Sequence, residues 1–418
     1  MKLIRICLNY FLFFFFIGSI MSACNYHRDI PSKGDQIIQV FSNEHIRFDP
    51  SINKEGIFSD SSQVLHFADG RIIMKNITLP IYKRHVDVLA NITLKSAGDR
   101  WDKSGSCFII PSGSDVNLLT IATGEKSFPE SGEELEGFAG IVSTKEYKSS
   151  IELMRFMTPF GVGFYNDEME LRRPSYIPVW EDDVNWEVDV TDFLSELEQE
   201  VWIGIWIDTW TPEGYQVSFE FKYDETEGPC YAKTETAMLP LVNTVYYINS
   251  QKHPDIFARK DIVVEAKIPE NAKNIRLKYI TTGHGGHSGG DEFVKKENII
   301  YVDGQKVFSF IPWRDDCASF RRFNPSSGTW FEEERDREYI DWKEEKYKTK
   351  KLNERISSSD FSRSNWCPGS CVIPEEIALP NLNTGLHKFT FSIPEAQPSA
   401  DNEMNHWLIS AYLVWDVD

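Results

Sequence analysis

Three stretches of this chain set a carboxylate beside an indole or a glycine-rich loop. Gly98-Asp99-Arg100-Trp101-Asp102-Lys103 separates two apolar runs. Val201-Trp202-Ile203-Gly204-Ile205-Trp206-Ile207-Asp208-Thr209-Trp210 ends with an Asp between two Trp. Thr281-Thr282-Gly283-His284-Gly285-Gly286-His287-Ser288-Gly289-Gly290-Asp291-Glu292-Phe293 ends in paired acids. A carboxylate can orient a water and take its proton. A neighbouring indole offers an apolar face and a polar edge, which suits a sugar. Acids crowded into one site repel, so one keeps its proton and stands as an acid beside a base. Each stretch also has a plainer reading. Asp99 can bond its own backbone in a turn, Asp208 can fix a hairpin, and Glu292 can be a solvated loop residue. His284 and His287 with Asp291 or Glu292 could hold zinc or copper, but such spacing on a loop is nonspecific.

The elements that carry these residues read as strands. Val86, Val88, Ala90, Ile92 and Leu94 alternate with mostly polar neighbours before the first stretch, and residues 105–110 continue after it. In the second stretch Val201, Ile203, Ile205 and Ile207 share one face; Trp202, Gly204, Trp206, Asp208 and Trp210 share the other. Tyr215, Val217, Phe219, Phe221 and Tyr223 mark its partner strand. Further strands are expected at 37–41, 152–157, 186–190, 262–266, 275–280, 386–393 and 407–415. Asp303-Gly304 predicts a tight hairpin between 298–302 and 305–308. Thr191 or Asp192 could cap a helical turn over 193–197. Residues 111–150 read as a long surface excursion with a possible strand at Thr120–Thr123, 224–240 as a linker, and 331–356 as a charged helix or loop. Five glycines in the 283–290 loop would let backbone approach a ligand closely. Many short strands with little helix mean an all-β sandwich or barrel.

The 418 residues suffice for two domains with real cores. A formal net charge of -20 offers no basic field for phosphates, so nucleic acid is excluded as a partner. Residues 1–24 read as a secretory leader: Lys2 and Arg5, an apolar run rich in Phe, then Met21-Ser22-Ala23-Cys24. The Cys after small residues resembles a bacterial lipoprotein signal, with Cys24 as the lipidated N-terminus. Residues 25–36 would be a tether. The chain is thus expected to be exported, touching membrane only through lipid, or secreted. Cys107, Cys230, Cys317, Cys367 and Cys371 remain for disulfides, an odd number that leaves at least one thiol unpaired within the chain.

The order and spacing of several segments are recognisable. Arg100-Trp101-Asp102, Arg155-Phe156-Met157-Thr158-Pro159, Glu187 to Phe193, Asp208-Thr209-Trp210, Gly290-Asp291-Glu292 and Trp366-Cys367-Pro368-Gly369 together resemble the peptide-N-glycosidase F family from about residue 37 onward. The resemblance implies an all-β chain of two consecutive antiparallel jelly-roll β-sandwich domains packed side by side. The first would span 37–232 with the 111–150 insert, the second 233–418 with an insert at about 331–360. It also implies hydrolysis of the amide between Asn and the innermost N-acetylglucosamine of a glycoprotein or glycopeptide, with no cofactor, no metal and a monomeric enzyme.

By that resemblance Asp102 is the principal catalytic acid, Glu292 the second and Asp208 the third. Trp101, Lys103, Trp210, Phe293, Arg363 and either His284 or Thr282 would face substrate, and Cys317 would pair with Cys367. Trp206 joins the expected sugar-facing residues from strand periodicity alone. The chain departs from the pattern where Asp208 replaces Glu, Lys103 replaces Arg and Phe293 replaces Trp; a point charge is not a fork. Two rivals stand beside the amidase: a non-catalytic glycan-binding lipoprotein, and a copper monooxygenase-like protein of the same architecture.

Overall fold

The computed structural model describes residues 31–55, 58–59, 63–129, 138–169, 173–226, 233, 235–248, 255–285, 289–327, 330–400 and 403–417. The leader with Cys24, residues 25–30 of the tether, Cys230 and His287 lie outside these residues.

Alternating apolar residues build two sandwiches. In the first, a four-stranded sheet runs in the order Gln36–Ile46, Tyr215–Glu225, Val86–Ser96, Val184–Asp189. It faces a larger sheet ordered Cys371–Val372, Ile151–Met157, Ser104–Ile109, Gln199–Ile207, Ile72–Leu79, Leu65–Phe67, Phe58–Ser59. Between them pack Val88, Ile92, Phe156, Trp186, Ile203, Ile205, Val217 and Phe221. The second sandwich sets Thr236–Asn243, His406–Val417, Ala272–His284 and Glu375–Ala378 against Ile262–Ile268, Gly385–Ser392, Asn298–Val302 and Gln305–Phe310. Leu277, Tyr279, Phe389, Phe391, Ile409 and Leu413 form its core. The paired strands are antiparallel throughout, as period-2 patterning requires when one face is buried.

The halves interlock. The Cys371–Val372 strand of the second half pairs with Ile151–Met157 of the first. The indole of Trp186 donates to Gly369 O at 2.9 Å. Arg155, buried with Glu152, donates to Thr282 Oγ1 at 3.2 Å and to Leu408 O. Separating the halves would leave the buried Arg155 guanidinium without its two acceptors in the second sandwich, so this seam resists separation.

Several local expectations are corrected. Residues 118–122 form a short helix rather than a strand, because Asn117 and Thr120 make a capping box. The helical turn over 193–197 forms, Leu197 N donating to Phe193 O at 3.1 Å, after a 3-10 turn at Thr191–Phe193, but Thr191 does not cap it: its Oγ1 accepts from Val88 N instead. The linker reading fails at Thr236–Asn243, an edge strand that tolerates Pro240 beside a register shift. The charged insert is neither helix nor loop but a hairpin, Trp330–Asp341 with Lys346–Ser357. The Asp303-Gly304 turn forms as expected, with φ of 51° and 78°, the left-handed pair of a type I′ turn.

Candidate active site

The Asp102 loop passes from the four-stranded sheet to the larger one, and the 208–214 loop returns the chain between the same two sheets. The two loops are clamped together through Asp99. Its Oδ1 accepts from Trp101 N at 3.0 Å and its Oδ2 from Thr209 Oγ1 at 2.7 Å. Thr158 fixes the next residue, accepting from Lys103 N at 2.8 Å. Asp99 is therefore the turn residue its position suggested, although it is fully buried.

Glu292 arrives from the second sandwich, on the loop after Ala272–His284. Its N–H donates to Gly285 O at 3.2 Å and its carbonyl accepts from Ser364 N at 2.9 Å. The neighbouring Asp291 points inward, accepting from the Trp407 indole at 3.0 Å and from Gln397 N. The loop glycines work differently from expectation: a Cβ on Gly283 would lie 2.7 Å from Asp291 O, and one on Gly285 2.1 Å from Met404 O. At these two positions the missing side chain admits close approach of the chain to itself, whereas a Cβ on Gly289 would meet nothing within 4 Å.

Arg363 joins the two acids. Its segment is held by reciprocal backbone bonds with Arg314. Nε donates to Glu292 Oε1 at 2.8 Å, and Nη2 lies 3.7 Å from Asp102 Oδ2. The guanidinium is buried and stacks 4.7 Å from the Trp366 ring centre and 5.2 Å from that of Phe293. The acids keep 18% and 17% of their side chains exposed, so both open onto the surface. Burial raises the Asp102 carboxyl above the ordinary range, against the opposing pull of Arg363 and Lys103. Burial raises Glu292 too; Arg363 opposes this and the nearby Asp102 charge adds to it. Two such acids around one cation can hold one proton between them.

Asp208 forms an adjoining cluster. Oδ1 accepts from the Trp210 indole at 3.0 Å and lies 3.5 Å from Arg71 Nη1; Oδ2 accepts from the Tyr246 hydroxyl at 2.8 Å. The Arg71 guanidinium lies 4.3 Å from the Trp210 ring centre. Arg71 and Tyr246 were not legible as site residues: one follows an ordinary turn and the other sits just past the supposed linker. Rings connect this cluster to Arg363. Tyr246 meets His406 edge-on at 5.9 Å, His406 stacks on His284 at 5.0 Å, and His284 stacks on Trp366 at 5.3 Å.

Trp101 and Trp210 are half exposed, at 50% and 54%, and can offer ring faces to a ligand. Trp206 cannot. It is 1% exposed, because Tyr246, Tyr247, Val245 and Leu408 cover that face of its strand. His284 is also removed from direct ligand contact: it is buried, its Nε2 lies 2.7 Å from Thr282 Oγ1, and burial holds its pKa well below the ordinary value. Among the described residues no three His, Cys, Asp or Glu side chains gather as metal ligands. Cys317 and Cys367 are disulfide-bonded, next to Trp366; Cys107 and Cys371 are free.

Two family models cover most of the chain. Peptide-N-glycosidase F, N terminal, matches residues 37–223, and Peptide-N-glycosidase F, C terminal, matches 252–414. The structure of PNGF-II in its P21 crystal form is 33% identical over 92% of this chain, with a TM-score of 0.76. This chain spans 66% of the length of that one. The PNGase F structure from Flavobacterium meningosepticum, described as a glycosylasparaginase, is 16% identical; it covers 92% of this chain and 96% of its own, with a TM-score of 0.56, and speaks to the fold alone. No curated protein matches.

Proposed function

This chain belongs to the peptide-N-glycosidase F family, and from that premise we propose that it is an amidase acting on N-glycosylated peptides or proteins. It hydrolyses the bond between the Asn side chain and the innermost N-acetylglucosamine. The products are Asp in the peptide and a glycosylamine on the glycan. One observation carries the reading: Arg363 touches Glu292 and lies beside Asp102, bringing acids from two sandwiches to one guanidinium.

The chemistry follows from that arrangement. Water oxygen attacks the amide carbonyl carbon, and the carbonyl pair moves onto oxygen. Asp102, ionised, orients the water and accepts its proton. Glu292, holding the shared proton, gives it to the leaving nitrogen as the C–N bond breaks. Arg363 and Lys103 supply positive charge toward the developing oxyanion. Trp101 and Trp210 pack against sugar rings, Phe293 borders the Arg363 side, and Asp208 contacts sugar or bound water. Water is consumed and no redox partner is needed.

A glycan-binding protein without turnover is the second reading, favoured by Asp208 and Phe293 standing where the family pattern has Glu and Trp. Incubation with a glycopeptide separates the two. Glycan loss with Asn converted to Asp supports the amidase; a retained, intact glycopeptide supports binding alone. Export with lipid on Cys24 completes the proposal. Labelled fatty acid should be incorporated by the parent and not by Cys24→Ala; equal labelling of both would refute that anchor.

A further inference from the structure

We propose that Tyr246 is a positioning residue for Asp208, its hydroxyl fixing one carboxylate oxygen while its ring is held by a stack that leads to Arg363. The inference rests on the deglycosylation reading above. Asp208 is one methylene shorter than the Glu of the family pattern. A shorter arm reaches the same space only if it is aimed, and three donors aim this one. The Trp210 indole and Arg71 hold Oδ1; the Tyr246 hydroxyl holds Oδ2 at 2.8 Å. Asp208 belongs to the first sandwich, whereas Tyr246 follows Thr236–Asn243 of the second. The bond therefore crosses the seam that Arg363 crosses with its own two acids.

The ring of Tyr246 is fixed on two sides. Trp206 meets it edge-on at 5.4 Å and His406 at 5.9 Å. His406 is anchored by Met404 O, 2.6 Å from Nδ1, and stacks on His284, which stacks on Trp366 beneath the Arg363 guanidinium. Burial and the Asp208 charge raise the Tyr246 phenol well above its usual pKa, so it stays a donor to the carboxylate. A Phe at 246 would keep every ring contact and lose only that bond. The stack explains why Trp206 and His284, both withdrawn from ligand, sit inside the site: they hold the groups that act.

The test is a double-mutant cycle on glycopeptide release with Tyr246→Phe, Asp208→Ala and the pair. Tyr246→Phe should lower kcat/KM roughly tenfold, the scale of one lost hydrogen bond to a charged group. In the Asp208→Ala background the same change should alter the rate by less than about twofold. A purely structural tyrosine would give equal losses in both backgrounds, which overturns the proposal, as does full activity of Tyr246→Phe. If the parent releases no glycan, the deglycosylation reading fails by itself. Calorimetric binding of the intact glycopeptide then decides the inference. Weaker binding by Tyr246→Phe only where Asp208 is present supports it; unchanged binding, or equal loss in both backgrounds, refutes it.

Discussion

Asp102 and Glu292 face the same guanidinium from two different sandwiches. Glu292 accepts from Arg363 Nε at 2.8 Å, and Asp102 stands 3.7 Å from Nη2. Arg363 is the cation the two acids share, although Lys103 also pulls on Asp102 from within its own loop. The site is a property of the seam, which is why the interlocking of the halves through Arg155 and the Cys371–Val372 strand matters to chemistry as well as stability.

Replacing Asp102 with Asn should remove the group that takes the water proton while keeping shape and burial. Glycopeptide turnover should fall at least about a hundredfold, the usual worth of a positioned general base. Melting temperature should stay near the parent value. Turnover equal to the parent would show that Asp102 is not the base.

Arg363→Lys should move the pH profile in a definite direction. Arg363 pulls both carboxyls down against burial. A lysine ammonium cannot span both acids, so their pKa values should rise. The base must be ionised to work. Its higher pKa pushes the acid limb of kcat/KM to higher pH. Rates measured from acid to neutral pH check this; an unmoved limb would count against electrostatic control by Arg363.

Trp101→Ala and Trp206→Ala should separate binding from folding. Trp101 is half exposed, so its loss should raise KM and leave the melting temperature nearly unchanged. Trp206 is fully buried, so its truncation should cost about 3–5 kcal/mol of stability. Thermal unfolding and steady-state kinetics on both variants test the contrast.

The Cys317–Cys367 disulfide closes a separation of 50 residues beside Trp366. Replacing both cysteines with Ala should destabilise the protein by about 2–4 kcal/mol. Denaturant unfolding measures that. Trp366 and its neighbours should loosen first, lowering activity at temperatures where the parent is still fully active.

Much of this was readable from the chain, and the gaps have physical causes. Alternation at 201–207 placed Ile203 and Ile205 in the core as expected. The same alternation put Trp206 on the opposite face correctly, but could not tell that Val245, Tyr247 and Leu408 cover that face. Covering residues come from far along the chain, and period-2 patterning is blind to them. The 330–357 hairpin escaped for another reason. Its strands carry charge on both faces, so they lack the apolar stripe that marks a half-buried strand. Ion pairs link the two strands instead, Lys351 with Glu334 at 2.7 Å and Lys348 with Asp341 at 2.8 Å.

The acids themselves were found through their neighbours rather than through local pattern. Asp102 and Glu292 each read locally as loop residues, and only the resemblance singled them out. Arg363 came from the same source, yet its double contact is a matter of three dimensions. Tyr246 and Arg71 had no signal at all, since a hydroxyl and a guanidinium that serve one distant carboxylate leave no local periodicity.

The most direct test of the central claim is hydrolysis of a defined N-glycopeptide in water enriched in oxygen-18, followed by mass analysis of the peptide. Attack of water at the amide carbonyl predicts a peptide that has lost the entire glycan, with Asp at the former Asn and one heavy oxygen in its new carboxyl group. A peptide that still carries its innermost N-acetylglucosamine, or one with unlabelled Asn restored, would contradict attack at the amide carbonyl.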